Sequence, residues 1–236
     1  MANILVTGSS RGIGRSIFEA LLAGGGHLVA GHSSLGGGDE IGADLAQPGA
    51  AEALWGEALQ RLGGRIDVLV NNAGVFEAAP IGSSADEWVG QWERTMRINL
   101  TASAELCRLA VLHFRTREGG GRIVNVSSRA AYRGDSPDHW HYAASKAGMI
   151  GMTKSIARGY AAEGIYAFAV CPGFTVTGMV DDYLESRGGG AFLKDIPLGR
   201  AADPDEVAET VRWLAIDAPP SATGAVIDVN GASFVR

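Results

Sequence analysis

Cysteine is scarce in this chain. Cys107 and Cys171 are the only two in 236 residues, one in a helical stretch and one at the end of an apolar strand. That excludes a disulfide framework and a thiolate metal site, and it suits a reducing, cytoplasmic setting. Excess positive charge is also missing, since 20 Lys and Arg stand against 26 Asp and Glu and the net charge is -6. Nothing in that balance offers an electrostatic footprint for nucleic acid or an anionic membrane, so the expected partners are small molecules or further copies of the chain. No apolar run approaches the length of a membrane span, and Met1-Ala2-Asn3 leads directly into an apolar strand without a basic leader. No repeat of 20–50 residues is visible. Length and composition fit one α/β domain over 1–236.

Glycine, by contrast, is plentiful at 34 residues, and its clusters punctuate the chain. The continuous apolar run Asn3 to Thr7 reads as a strand buried on both faces of a parallel sheet. It enters Thr7-Gly8-Ser9-Ser10-Arg11-Gly12-Ile13-Gly14 and then a helix with Ile13, Ile17, Leu21 and Leu22 on one face. Strand, glycine turn and helix form the unit in which backbone N–H groups and the positive helix end meet a pyrophosphate. His27 to Gly31 reads as the second strand. An acid at its tip would accept from a ribose 2′-hydroxyl, but Gly31-His32-Ser33-Ser34 stands there, with Arg11 in the adjoining turn. Hydroxyls, an imidazole able to protonate and a guanidinium favour a 2′-phosphate and hence NADP(H). NAD(H) stays open because Asp39 can fold back towards the ribose. Leu35 to Gly42 is too short and too glycine-rich for a helix, which predicts a bare crossover. It leads to a weak third strand, Ile41 to Leu45, with Asp44 and Leu45 near the adenine.

Further along, Ala51, Leu54, Trp55, Ala58, Leu59 and Leu62 repeat at helical spacing. A fourth strand, Asp67 to Val70, runs into Asn71-Asn72-Ala73-Gly74 at the crevice where open α/β sheets bind ligands. Ser84-Ala85-Asp86-Glu87 reads as a capping box opening a helix that Asn99 interrupts with an amide on its apolar face. Arg122 to Val126 is a fifth strand ending at Ser127-Ser128. A loop containing Asp138-His139-Trp140-His141 precedes a helix from Tyr142 to about Ala161. Its two histidines lack a third metal ligand at useful spacing and are expected to shape a substrate mouth. A sixth strand, Tyr166 to Val170, leads into Cys171-Pro172-Gly173-Phe174-Thr175-Val176-Thr177. Residues 178–198 read as a mobile lid. A capped helix follows from Asp203 to about Ile216, and a closing strand from Ala225 to Val229. The fold class is α/β, a doubly wound parallel sheet of about seven strands flanked by helices.

Within the helix after Ser128, Tyr142 and Lys146 stand four residues apart and so on one face. A fixed ammonium beside a phenol favours phenolate, which predicts an unusually acidic Tyr.

Taken in order, Thr7 to Gly14, Asn71 to Gly74, Asn99, Ser128, Tyr142 with Lys146, and Pro172-Gly173 resemble the short-chain dehydrogenase/reductase family over essentially the whole chain. Tyr142 to Gly148 (YAASKAG), Pro197-Leu198-Gly199-Arg200 and Val229-Asn230-Gly231 are similar to the branch containing β-ketoacyl-ACP reductases. The resemblance implies a Rossmann-like fold and hydride transfer between NAD(P)(H) and a carbonyl or secondary alcohol, with a 3-oxoacyl thioester as one candidate substrate. An NAD(H)-dependent sugar or polyol dehydrogenase and a non-catalytic nucleotide sensor are the alternatives. The resemblance further implies Tyr142 as general acid/base, Ser128 as the hydroxyl that orients the reacting oxygen, Lys146 on the nicotinamide ribose, and Asn99 as holder of a water. Gly8, Ser10, Arg11, Gly12, Ile13 and Gly14 would line the pyrophosphate turn, and Asn71, Asn72, Ala73 and Gly74 the adenosine wall. Pro172, Gly173, Thr175 and Thr177 would line the nicotinamide wall. The Ser128 to Tyr142 spacing is about one residue longer than is common in the family, which leaves Ser127 as a second candidate. Arg133, Arg187 and Lys194 are the cations available to an acidic acyl carrier. A homotetramer or dimer built on helices at 100–118 and 142–161 is implied as well.

Overall fold

A computed structural model describes residues 1–176 and 192–236. The expected lid therefore lies largely outside the described residues, as do Thr177 and Arg187. Seven strands pair in parallel in the order β3-β2-β1-β4-β5-β6-β7. They are β1 (Asn3–Val6), β2 (Leu28–Ser33), β3 (Ile41–Gly42), β4 (Val68–Asn71), β5 (Gly121–Val126), β6 (Ile165–Pro172) and β7 (Val226–Val229). The order reverses between β1 and β4. The tips of these two strands open the crevice in which such sheets bind ligands.

The continuous apolar character of β1, β4, β5 and β6 follows from the helices that cover both faces. On one face α2 (Ala50–Arg61), α4 (Ala102–Arg115) and α6 (Trp140–Tyr160) bury Leu5, Leu54, Leu69, Leu106, Phe114 and Ile123. On the other, α1 (Gly12–Ala23) and α7 (Pro204–Ile216) bury Ile4, Val6, Ile17, Leu21, Phe168 and Val211. Alternate residues of one strand thus serve opposite cores, as a period of two requires.

The crossover from β2 to β3 carries no helix, as its glycines predict. The third strand is shorter than expected, because pairing with β2 stops at Ser33↔Gly42. The chain then turns away, leaving Leu45 in the core and Asp44 capping its own turn through Ala46 N at 3.0 Å. A short helix, α5 (Ala130–Arg133), occupies part of the expected loop after Ser128, and α6 begins at Trp140 rather than Tyr142.

The helix opened by Ser84 is α3 (Ala85–Met96), and its capping box is formed: Glu87 N donates to Ser84 Oγ at 3.3 Å and Ser84 N to Glu87 Oε2 at 3.0 Å. Between α3 and α4 the backbone widens into one π turn, Arg97–Thr101, centred on the buried Asn99. Such a turn accommodates one extra residue within otherwise continuous helix.

Gly56 and Gly90 lie inside α2 and α3, with open space where a Cβ would stand. Alanine at either position should therefore stabilise the protein by about 0.5–1 kcal/mol, by removing backbone freedom from the unfolded chain. Urea denaturation of each variant measures this, and a loss would mean that these helix faces are covered in solution.

Candidate active site

The glycine turn between β1 and α1 is held by hydrogen bonds from outside it. Thr7 Oγ1 accepts from the backbone N–H groups of Asn72 and Ala73, each at 3.0 Å, and Asn72 Nδ2 donates to the carbonyls of Thr7 and Gly8. Gly8 and Gly12 take positive φ angles of 67° and 54°. A Cβ on Gly14 would stand 1.9 Å from Gly8 O, so glycine is required there by contact. No side chain caps the start of α1, which leaves its first N–H groups without a side-chain partner. Ser10 and Arg11 are exposed beside them. This cradle fits a dinucleotide pyrophosphate.

Two of the residues assigned to the cofactor are committed elsewhere. His32 is buried, its Nδ1 accepting from Gly8 N at 3.1 Å and its Nε2 facing Ala43 O at 2.9 Å. Burial lowers its pKa, so it is a neutral brace between the turn and the chain after β3, and the expectation of an imidazolium at the ribose is corrected. Asn71 is also buried, and its Nδ2 donates to Asn125 Oδ1 at 2.9 Å. Asn125 Nδ2 in turn reaches Thr153 Oγ1 at 2.8 Å, so Asn71 ties β4 to β5 and α6 and does not face the adenosine wall. Ser33 accepts from Gly36 N at 3.0 Å and pins the crossover.

At the crevice, Gly74, Asn99 and Lys146 converge. A Cβ on Gly74 would lie 3.3 Å from Asn99 Oδ1 and 3.5 Å from Lys146 Nζ. Asn99 grips the backbone of Val75 with both ends of its amide, at 2.8 and 3.0 Å, and reaches Ser145 Oγ at 3.3 Å. The π turn aims this amide, since Ile98 and Asn99 are buried side by side. Ser127 Oγ donates to Lys146 O at 2.8 Å and is used up inside the fold, whereas Ser128 Oγ accepts from Ala130 N at 3.1 Å and is near enough to Tyr142 to favour its phenolate. The short helix α5 lies between Ser128 and Tyr142 in the chain. Pro172 ends β6, Gly173 packs where a Cβ would strike Asn230, and buried Thr175 bridges to Ala202.

The electrostatics differ from the sequence expectation. Burial pushes the Tyr142 phenol up to about 12, while the neighbouring Ser128 hydroxyl pulls the other way. Burial also brings Lys146 down to about 8. The ammonium lies 5.8 Å from the centre of the phenol ring and donates to Val126 O at 2.9 Å. The loss of solvation dominates, and the phenol is held above the usual tyrosine range.

The titration of Lys146 has a consequence for stability. Its folded pKa near 8 lies below the ordinary 10.5, so between these values the unfolded chain binds more protons and stability rises with pH. Below about 8 the whole penalty for burying the cation is present. The stability gap between wild type and Lys146→Met, measured without cofactor, should therefore change in favour of wild type as pH rises from neutral to about 10. A gap that is flat with pH would contradict the burial of a charged amine.

Sequence reasoning missed the wall around the phenol. Phe76 stacks on His139 at 3.9 Å and 9° and meets Tyr142 edge-on at 4.8 Å and 82°. The His139 and His141 mouth is thus packed against the candidate acid, with His141 Nε2 on Glu77 O at 3.0 Å. No local signal marked Phe76, because only the tertiary fold brings it to Tyr142. Arg129, next to Ser128, lies over the ring of Phe174 at 4.3 Å. Among the described residues no group of His, Cys, Asp and Glu could hold a metal, and no helix is long and apolar enough to cross a membrane.

Comparison with known proteins agrees with this geometry. Residues 8–232 match the family model described as enoyl-(acyl carrier protein) reductase. The chain is 34% identical to the 3-oxoacyl-[acyl-carrier-protein] reductase FabG of Haemophilus influenzae, covering 98% of this chain and 97% of that one. It is 36% identical to an acetoacetyl-CoA reductase of Shinella zoogloeoides, with 98% and 97% covered. The ligand-free aldohexose dehydrogenase of Thermoplasma acidophilum superimposes with a TM-score of 0.88 at 30% identity, covering all of this chain and 94% of the other. With its whole length matched, its seven parallel strands and its glycine turn, the chain is an NAD(P)-dependent oxidoreductase acting on C=O or CH–OH groups, and it belongs to the short-chain dehydrogenase/reductase family, in the β-ketoacyl-ACP reductase branch.

Proposed function

We propose that this chain, a single domain over 1–236, reduces the 3-oxo group of an acyl thioester, carried on an acyl carrier or on a smaller thiol. The observation that carries this reading is the convergence of Gly74, Asn99 and Lys146 at the strand tips, with the Tyr142 ring 5.8 Å from the Lys146 ammonium on the same helix and Ser128 beside it. A nicotinamide dinucleotide supplies the hydride when bound. The uncapped start of α1, with Gly8, Gly12, Ile13 and Gly14, would hold its pyrophosphate, and Ala73, Gly74, Pro172, Gly173 and Thr175 its flanks. Ser128 and Tyr142 donate to the carbonyl oxygen as negative charge grows on it, and Tyr142 then gives up its proton. Lys146 offers an ammonium to a ribose hydroxyl and steadies the tyrosinate left behind. Asn99 fixes the strand segment after Gly74 through Val75, which holds that wall in register with α6.

Of the supports for NADP(H), Arg11 stands exposed at the turn, while His32 is withdrawn into the sheet. Arg133 and Lys194 are exposed and available to an acidic carrier. A homotetramer or dimer is part of the same reading, supported by the length of α4 and α6 and by half-exposed Leu112 on α4. So is a cytoplasmic location, supported by two buried free thiols.

The reading is tested by mixing the purified protein with NADH or NADPH and a panel of 3-oxoacyl thioesters, simple ketones and aldohexoses. Thioester reduction should exceed the rest by about tenfold or more in kcat/KM. A preference for aldohexose oxidation would move the chain to the sugar dehydrogenases, and tight cofactor binding without any turnover would make it a nucleotide sensor.

A further inference from the structure

We infer that Glu40, carried on the crossover between β2 and β3, reads the adenosine ribose and turns the cofactor preference towards NAD(H). This rests on the dinucleotide reading of the glycine turn. The carboxylate arrives there by a specific path. Ser33 Oγ holds Gly36 N at 3.0 Å, and Gly36 and Gly42 approach so closely that a Cβ on Gly36 would lie 2.9 Å from Gly42 Cα. Glu40 N donates to Gly37 O at 3.1 Å, closing a tight turn, and Arg61 holds the carbonyl of Asp39 at 2.6 Å. Asp39, the acid that the sequence offered for the ribose, is exposed on the outer side of this loop.

Glu40 is turned inward. Its Oε1 accepts from Ser9 Oγ at 2.9 Å, and Ser9 is buried inside the glycine turn. Ser9 also locks the turn to β2: its Oγ accepts from His32 N at 2.9 Å, and its N–H donates to His32 O at 2.9 Å. A carboxylate is therefore fixed where the first turn and the tip of the second strand meet. This is where a dinucleotide fold meets its adenosine ribose. Oε2 has no hydrogen bond among the described residues and is left to accept from a ribose hydroxyl. A 2′-phosphate brought to the same point meets a like charge, and Arg11, which has no side-chain hydrogen bond among the described residues, offsets it only from the exposed side.

The missing helix makes this possible. A helix between β2 and β3 would carry the chain away from the turn, whereas seven residues of loop return it at once.

Dissociation constants of NADH and NADPH, read from nicotinamide fluorescence without substrate, test the assignment in wild type, Glu40→Gln and Arg11→Ala. Wild type should bind NADH more tightly. Glu40→Gln should shift the NADPH-to-NADH affinity ratio towards NADPH by about tenfold or more. Added salt should shrink the wild-type penalty on NADPH, because screening weakens a repulsion between charges and leaves a packing effect untouched. Arg11→Ala should shift the ratio the other way. A ratio unchanged within about twofold in Glu40→Gln, with its melting temperature preserved, overturns the assignment and leaves the dinucleotide reading intact. A wild type that binds neither cofactor overturns both.

Discussion

Tyr142→Phe should lower turnover by about 10²–10⁴-fold while leaving cofactor affinity nearly unchanged. The substitution removes one oxygen and keeps the ring, and it is the ring that packs edge-on against Phe76. What disappears is the hydroxyl beside Ser128, whose pKa burial raises. A uniform loss of binding would raise KM instead, so the split between kcat and KM identifies the role. Full activity in the variant would remove Tyr142 from the chemistry. Because burial pushes the phenol up to about 12, an ultraviolet titration of the cofactor-free protein should show no phenolate from Tyr142 below about pH 10, judged by difference from the Phe variant. Earlier ionisation would mean that Lys146 governs the phenol even without a ligand.

Gly14→Ala should be severely damaging. The new Cβ would lie 1.9 Å from Gly8 O and 2.3 Å from Asn72 Nδ2, and the first of these is backbone that no rotamer change can move aside. The turn must open, which breaks the clasp of Asn72 on the carbonyls of Thr7 and Gly8. Forced overpacking of this kind costs about 1–3 kcal/mol or more. The stability loss should come with a loss of dinucleotide affinity of at least about tenfold, if the displaced N–H groups are the ones proposed to meet the pyrophosphate. Thermal melts and cofactor titration measure the two effects. A variant with wild-type affinity would mean that the turn is not the pyrophosphate cradle.

Much of this arrangement is legible in the residues. Runs such as Asn3 to Thr7 and Arg122 to Val126 announce buried parallel strands, and helical spacing with caps at Ser84 and Asp203 locates α3 and α7. The Tyr142 and Lys146 spacing alone puts both on one helical face. What escapes is whatever depends on the direction of a side chain after folding. His32 and Asn71 have the chemistry for a cofactor, yet each lies on the inward side of a strand tip and bonds to the fold itself. Glu40 and Asp39 are neighbours with equal charge, and only the closure of a glycine loop decides which one faces the turn. The acidity of Tyr142 escapes for a related reason: charge spacing is visible in sequence, whereas the solvent stripped from both groups is not.

The widened turn at 97–101 bears on how this helix tolerates insertion and deletion. Removing one residue there would restore an unbroken ladder of ordinary helical hydrogen bonds, an apparent improvement in local regularity. It would also swing everything on one side of the cut by about 100° about the axis. Either Trp88 and Trp92 would leave their partners at the start of α6, or Leu106 and Phe114 would leave the core. The surplus residue therefore acts as a phase shifter: two helical segments with different bearings share one rod, and a mended rod would serve only one of them.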